Sequence, residues 1–324
     1  MKRAIELLKT TQSAYVVCHI LPDGDAVGSL LGLGLALQSL GKTCTMACAD
    51  PIPEKYAFLV GADRVVSSPP AGEQVIVSVD ASDVERLGSL YDAVVYGSRP
   101  VLNIDHHVTN TRYGNLNLIR QLPSTAEIVY ALLGSMQVPL DQDIANALLA
   151  GLLADTRCFR TSNVTARQLR TAIALIQAGA SLARITDLLF NREPISTICL
   201  WGQALGHANT GGRIVWTEID RDMLLRCGAT PMEADGLSSF LASAESAEVS
   251  AVFREKEDGR IEVSMRAKPA WDISGVALKL GGGGHPRAAG CILPGPMQSA
   301  RERVLAEIQA ALQQQALSRP AEGQ

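Results

Sequence analysis

The sequence predicts an α/β fold, a mainly parallel sheet flanked by helices, followed by a second, smaller α+β domain. Short apolar runs at residues 14–18, 75–79 and 101–104 read as buried strands, and the glycine-rich apolar stretch 26–40 reads as a helix between the first two. A chain that alternates strand and helix in this way builds a parallel sheet through crossover helices. A fresh alternation of strands and helices beyond Ser196 predicts the second domain.

The bulk properties agree with two domains and narrow what they can do. At 324 residues and 47% hydrophobic content, each domain has material for its own core. No run of eighteen apolar residues occurs, and residues 1–13 carry charges where a signal peptide would be apolar, so no membrane crossing is expected. The seven cysteines, Cys18, Cys44, Cys48, Cys158, Cys199, Cys227 and Cys291, show no C-x-x-C and no disulfide-like spacing; reduced thiols in a cytoplasmic protein are expected. A net charge of −4 leaves no general basic face for long nucleic acids, so a nucleic-acid substrate would be short and held in a local pocket.

Taken in order, the strand at 14–18 ends on His19, the strand at 75–79 on Asp80 and the strand at 101–104 on Asp105. Sites in open parallel sheets gather at the carboxyl ends of strands, so these residues are expected to converge. Helical periodicity then runs through 125–189, with segments at 127–133, 144–153 and 165–178, until Asn191-Arg192-Glu193-Pro194 breaks it. The expected division is a metal-binding domain at 1–190, a linker at 191–198, a substrate domain at 199–317 and a disordered tail at 318–324. Strands at 213–219, 249–254, 261–266 and 288–293, with a helix at 273–280, furnish the second domain.

The chemistry-bearing clusters each have a bland alternative. In His19-Ile20-Leu21-Pro22-Asp23-Gly24-Asp25 an imidazole and two carboxylates share one strand-to-helix turn, although Asp25 could be a helix cap and Asp23-Gly24 a simple turn. Asp80 ends a strongly apolar strand, where a carboxylate is desolvated and needs a cation or donors; capping of a following helix near 84–87 is the alternative. In Asp105-His106-His107 the two imidazoles are expected to point apart, one to metal and one to substrate. His19, His106 and His107 are three of only five histidines and all sit at strand ends, which a random scatter would rarely produce. Asp155, at the carboxyl end of an apolar helix, opposes the helix dipole and calls for a compensating cation.

Two imidazoles and four carboxylates favour Mn²⁺ or a similar ion, and two such ions sharing a carboxylate roughly 3.5–4 Å apart suit phosphoester hydrolysis. In the second domain Gly281-Gly282-Gly283-Gly284-His285-Pro286-Arg287 reads as a structured loop that brings backbone N–H groups to a phosphate, a flexible loop being the alternative. Arg266, at a strand end, is a further phosphate contact or else a solvated charge.

With these motifs in place, the chain resembles the DHH phosphoesterase superfamily from His19 to Gly290, in the branch that joins a DHH domain to a DHH-associated C-terminal domain. Within that branch it is similar to the nanoRNase type, oligoribonucleases that also dephosphorylate 3′-phosphoadenosine 5′-phosphate. The resemblance implies that His19, Asp23 and Asp80 hold one ion and that Asp25, Asp80, His106 and Asp155 hold the other, with Asp80 shared. It implies that His107 meets the scissile phosphate, that Asp105 orients an imidazole, and that Gly282, Gly283, Gly284 and His285, with Arg266 and Arg287, bind the terminal nucleotide. The expected partners are short RNA oligonucleotides or nucleotides, and a homodimer is left open. The chain departs from the family at Arg157, where glycine is frequent, and at 244–248, which lacks the customary glycine. A cyclic- or linear-dinucleotide phosphodiesterase is the near alternative; a nucleotide-binding regulator without turnover is the distant one.

Overall fold

The computed structural model describes residues 1–317; the tail 318–324, expected to be disordered, lies outside the described residues. The chain divides into two compact units, Met1–Arg192 and Glu193–Gln324.

The first unit runs α1 (Lys2–Thr10), β1 (Ser13–Val17), α2 (Gly24–Ser39), β2 (Thr43–Ala47), β3 (Val75–Val79), α3 (Ala93–Gly97), β4 (Val101–Asp105), β5 (Leu116–Ile119), α4 (Thr125–Met136), α5 (Gln142–Asp155), α6 (Ala166–Gln177) and α7 (Leu182–Phe190). Its sheet has the order β2-β1-β3-β4-β5, and every neighbouring pair is parallel. β3 and β4 are buried along their full length, as both-faced strands rich in valine, leucine and isoleucine must be. The chain leaves β1 toward β2 on one side and returns to β3 on the other, so a topological switch point lies between β1 and β3. His19 follows β1 and Asp80 follows β3, which puts both at that crevice.

Glycines in α2 set how close α5 can come. A Cβ on Gly28 would lie 2.5 Å from the carbonyl oxygen of Ala147, and one on Gly32 would lie 2.5 Å from Leu148 Cδ2. The bare backbone there lets α5 lie against α2 and deliver Asp155, its last residue, to the same end of the sheet as the first turn of α2.

The second unit runs α8 (Ile195–Gly206), β6 (Asn209–Gly211), β7 (Ile214–Ile219), α9 (Arg221–Cys227), α10 (Leu237–Leu241), β8 (Val249–Glu255), β9 (Ile261–Ala267), α11 (Ser274–Lys279), β10 (Gly283–His285), β11 (Ala288–Leu293) and α12 (Met297–Leu317). The sheet order is β10-β11-β9-β8-β7-β6, antiparallel except between β7 and β8. One cluster packs Val304 and Ile308 of α12 with Phe253, Val263 and Met265, and another packs Leu200 and Leu237 with Val215 and Val252.

Three expectations need correction. Residues 195–198 of the expected linker are the first turn of α8, because Pro194 serves as its N-cap and the break ends there. The segment 281–285 is not all loop: Gly283–His285 pairs with β11 as an edge strand. Cys199 and Cys227 form a disulfide that joins α8 to α9 across 28 residues, a pairing that cysteine spacing alone could not reveal, while Cys18, Cys44, Cys48, Cys158 and Cys291 are free. Among the described residues, no single helix is long and apolar enough to cross a membrane.

Candidate functional site

Four chain segments of the first unit bring their acids and imidazoles together. The turn after β1 places Asp23 as N-cap of α2, its Oδ1 accepting from the amides of Asp25 and Ala26 at 3.0 and 3.1 Å. Asp25 is fully buried and reaches the start of α4, where its carboxylate accepts from the amides of Thr125 at 2.5 Å and Ala126 at 2.9 Å. Neither bland reading of this turn covers the facts, since the cap is Asp23, and Asp25 is bound to the amino end of another helix.

Asp80 is the hub. It is 2% exposed and adopts φ +58°, a left-handed conformation that a non-glycine residue takes only under constraint. Its Oδ2 lies 3.6 Å from His19 Nε2, and its Oδ1 lies 3.5 Å from His106 Nε2 and 3.8 Å from His107 Nδ1. Thr125 Oγ1 donates to Oδ1 at 2.8 Å. Asp23 stands 3.8 Å from His19 Nε2, and Asp155 stands 3.3 Å and Asp25 3.9 Å from His106 Nε2.

The histidines are oriented by their surroundings. His19 Nδ1 contacts the Ile20 carbonyl at 2.6 Å and His106 Nδ1 the Leu122 carbonyl at 3.1 Å. A carbonyl only accepts, so each Nδ1 carries the proton and each Nε2 faces the carboxylates, as metal-binding imidazoles do. His106 and His107 lie close, their rings 4.4 Å apart and tilted by 58°, but they present different atoms to Asp80 Oδ1, His106 its Nε2 and His107 its Nδ1. Asp105, the last residue of β4, holds the pair in place. Its oxygens accept from the His106 amide, His107 Nδ1 and Asn110 Nδ2 at 2.8, 2.7 and 2.5 Å, which leaves it an orienting role.

The electrostatics point one way. Burial, reinforced by the Asp80 and Asp155 carboxylates, pushes the pKa of Asp25 well up, and burial with Asp80 and Asp23 does the same to Asp155. Burial opposes a charged His19, but Asp23 and Asp80 outweigh it and bring its pKa up to about 10. Asp23, where burial is outweighed by His19 and two amides, falls to about 2. The Asp105 carboxylate raises His107, and Asp105 itself, with burial overcome by His107 and Asn110, is lowered. Crowded carboxylates this far from water call for positive charge. The acids and imidazoles form three groups, Asp80 with Asp105, His106 and His107, then His19 with Asp23 and Asp80, then Asp25 with His106 and Asp155, in each of which the donor atoms lie within 4.8 Å of one another. This donor set fits divalent metal ions.

In the second unit the face of β8, β9 and β11 floors a cavity of about 700 Å³ whose lining includes Arg254, Ser264, Arg266, Gly282, Gly283 and Gly290. Gly282 is obligatory there: a Cβ would lie 2.1 Å from the Gly290 carbonyl oxygen. Arg266 Nε donates to Ser239 Oγ at 3.2 Å. Gly284, His285 and Arg287 are absent from the cavity lining; His285 ends β10 and Arg287 lies in the two-residue turn before β11, both exposed. Asn110, Thr125 and Ser239 had no signal in the sequence, since each acts only through a partner that folding brings from elsewhere.

A parallel-sheet switch point lined by imidazoles and buried aspartates, joined to a second unit built around a glycine-rich hairpin, defines a hydrolytic phosphoesterase. The DHH family N-terminal domain matches residues 13–152 and the DHHA1 domain matches residues 223–314, and the chain belongs to the DHH family. It is 37% identical over 314 residues, covering 94% of this chain and 92% of the relative, to the bifunctional oligoribonuclease and PAP phosphatase NrnA of Thermus thermophilus. The protein of the same name in Bacillus subtilis is 29% identical, with 90% of this chain and 92% of the relative covered. An exopolyphosphatase-related protein from Bacteroides fragilis shares the fold at a TM-score of 0.88 and 20% identity, over 98% of this chain and 96% of that one.

Proposed function

We propose that the chain is a two-metal phosphoesterase that degrades very short RNA to mononucleotides and dephosphorylates 3′-phosphoadenosine 5′-phosphate. The observation that carries it is Asp80, whose two oxygens face separate donor groups, Oδ2 toward His19 and Oδ1 toward His106. The relatives named as oligoribonuclease and PAP phosphatase support the substrate class. In this assignment His19, Asp23 and Asp80 hold one ion, and Asp25, Asp80, His106 and Asp155 hold the other. The mixture of imidazole and carboxylate favours Mn²⁺. Such a pair of ions, when bound, activates water and neutralises charge developing on the phosphoryl group.

The chain's own residues do the rest. Asp105 fixes His107 through Nδ1 and favours its protonated form, which leaves Nε2 to give a proton to the leaving oxygen. Gly282, Gly283, Gly284 and His285 of the hairpin, with Arg266 and Arg287, grip the nucleotide through N–H groups and cations. Chemistry thus belongs to the DHH domain and the grip on the terminal nucleotide to the associated domain. The test is a substrate panel in Mn²⁺: dinucleotide, longer RNA, single-stranded DNA, cyclic dinucleotide and 3′-phosphoadenosine 5′-phosphate. Fast turnover of the RNA dinucleotide and of the bisphosphate is expected, and a preference for long DNA or the cyclic compound would overturn the proposal.

A further inference from the structure

Directly beyond Asp155, three consecutive non-glycine residues adopt left-handed backbone: Arg157 at φ +47°, Cys158 at +57° and Phe159 at +63°. L-residues resist this conformation because Cβ crowds the following carbonyl. The turn is held all the same. Thr156 is buried, its Oγ1 donates to the Leu152 carbonyl at 2.6 Å and accepts from the Phe159 amide at 3.1 Å, and its carbonyl accepts from the Arg160 amide at 2.8 Å. Cys158 and Phe159 are compensated, since both pack against the core of the first unit. Arg157 is not. It is exposed, and among the described residues its guanidinium makes no hydrogen bond or ion pair; only its backbone is engaged, the amide with Ala154 and the carbonyl with Arg160 Nε.

A strained position that glycine would fill more comfortably therefore holds an unpartnered cation two residues past Asp155. Strain of this kind persists where function requires it. A phosphate other than the one being cleaved is repelled by the surrounding carboxylates unless a cation meets it, and the planar guanidinium fork matches phosphate oxygens two at a time. We propose that Arg157 is a substrate-binding residue that selects nucleotides carrying a second, non-scissile phosphate. This rests on the phosphoesterase function proposed above.

The test compares kcat/KM of the Mn²⁺-loaded full chain on two dinucleotides of one sequence, with a 5′-phosphate and with a 5′-hydroxyl. Wild type is expected to prefer the 5′-phosphorylated substrate. Arg157→Gly should lower that preference about tenfold, chiefly through KM, the scale of one lost charge-assisted contact, while melting no lower than wild type because glycine accepts the positive φ. Arg157→Lys should restore part of it. An unchanged preference in Arg157→Gly, or an equal loss on both substrates, overturns the assignment. Wild type that turns over neither dinucleotide would instead refute the proposed function, and the role of Arg157 with it.

Discussion

The two units place charge in opposite settings. In the first, Asp25, Asp80 and Asp105 are at most 2% exposed, and they crowd imidazoles that are themselves held by backbone carbonyls. In the second, Gly283, Gly284, His285 and Arg287 lie exposed on an edge hairpin, and Arg266 leans on a serine. Buried, preorganised charge suits bond breaking, because nothing must reorganise as charge develops on the substrate. Exposed donors on a glycine backbone suit capture of a ligand that arrives from water. Under the proposed function this contrast divides bond breaking from the grip on the terminal nucleotide, and each of the following experiments can break that division.

The largest effect should come from chelation. Protein stripped with EDTA should lose essentially all turnover and regain it best with Mn²⁺, and activity persisting in excess chelator would remove metal from the account. His107→Ala should lower kcat by about 10²–10⁴, the range for a lost general acid, with metal content retained. A fall in bound metal would place His107 among the ligands instead.

Metal uptake should also depend on pH. In the metal-free fold His19 is raised to about 10, and Asp25 and Asp155 are raised as well, so binding a cation must displace protons. Affinity for Mn²⁺, measured by titration calorimetry, should therefore rise with pH from 6.5 until His19 has lost its proton at about 10. The raised His19 contributes stability to the stripped protein that is full below 6.5 and is lost as pH rises through about 10, so stripped protein should lose stability at alkaline pH while loaded protein holds it. An uptake that ignores pH would mean that these groups are not ligands.

The smallest effect belongs to the second unit. His285→Ala should weaken turnover of a dinucleotide by roughly 1–3 kcal/mol of transition-state stabilisation and spare a small activated phosphodiester. Equal losses on both would bring the hairpin into the catalytic machinery.

The parts of this arrangement legible in the sequence were those written in continuous local patterns. β1, β3 and β4 are short strands dominated by apolar residues, and the acids and imidazoles at their carboxyl ends follow from strand polarity alone. The edge strands β2 and β5 alternate polar and apolar residues and carry too little apolar signal, and β10 is hidden in glycines. The Cys199–Cys227 disulfide depends on α8 meeting α9, which periodicity does not encode. The same limit applies to Asp25: its place beside Asp23 is visible, but its hold on the α4 amides, 100 residues away in the chain, exists only once α2, α4 and α5 have packed. Arg157 stood out only as a departure from the resembled family, and its left-handed backbone supplies the physical reason that glycine is favoured there.

The central claim is that one carboxylate serves two ions. Elemental analysis of wild type and Asp80→Ala, each loaded with Mn²⁺ and freed of excess metal, tests it most directly. Two ions per chain are predicted for the wild type, with occupancy well below two and turnover abolished in the variant, because removing the shared ligand weakens both ions at once. Two tightly bound ions in Asp80→Ala would contradict the bridge, and with it the assignment of the donor groups around His19 and His106.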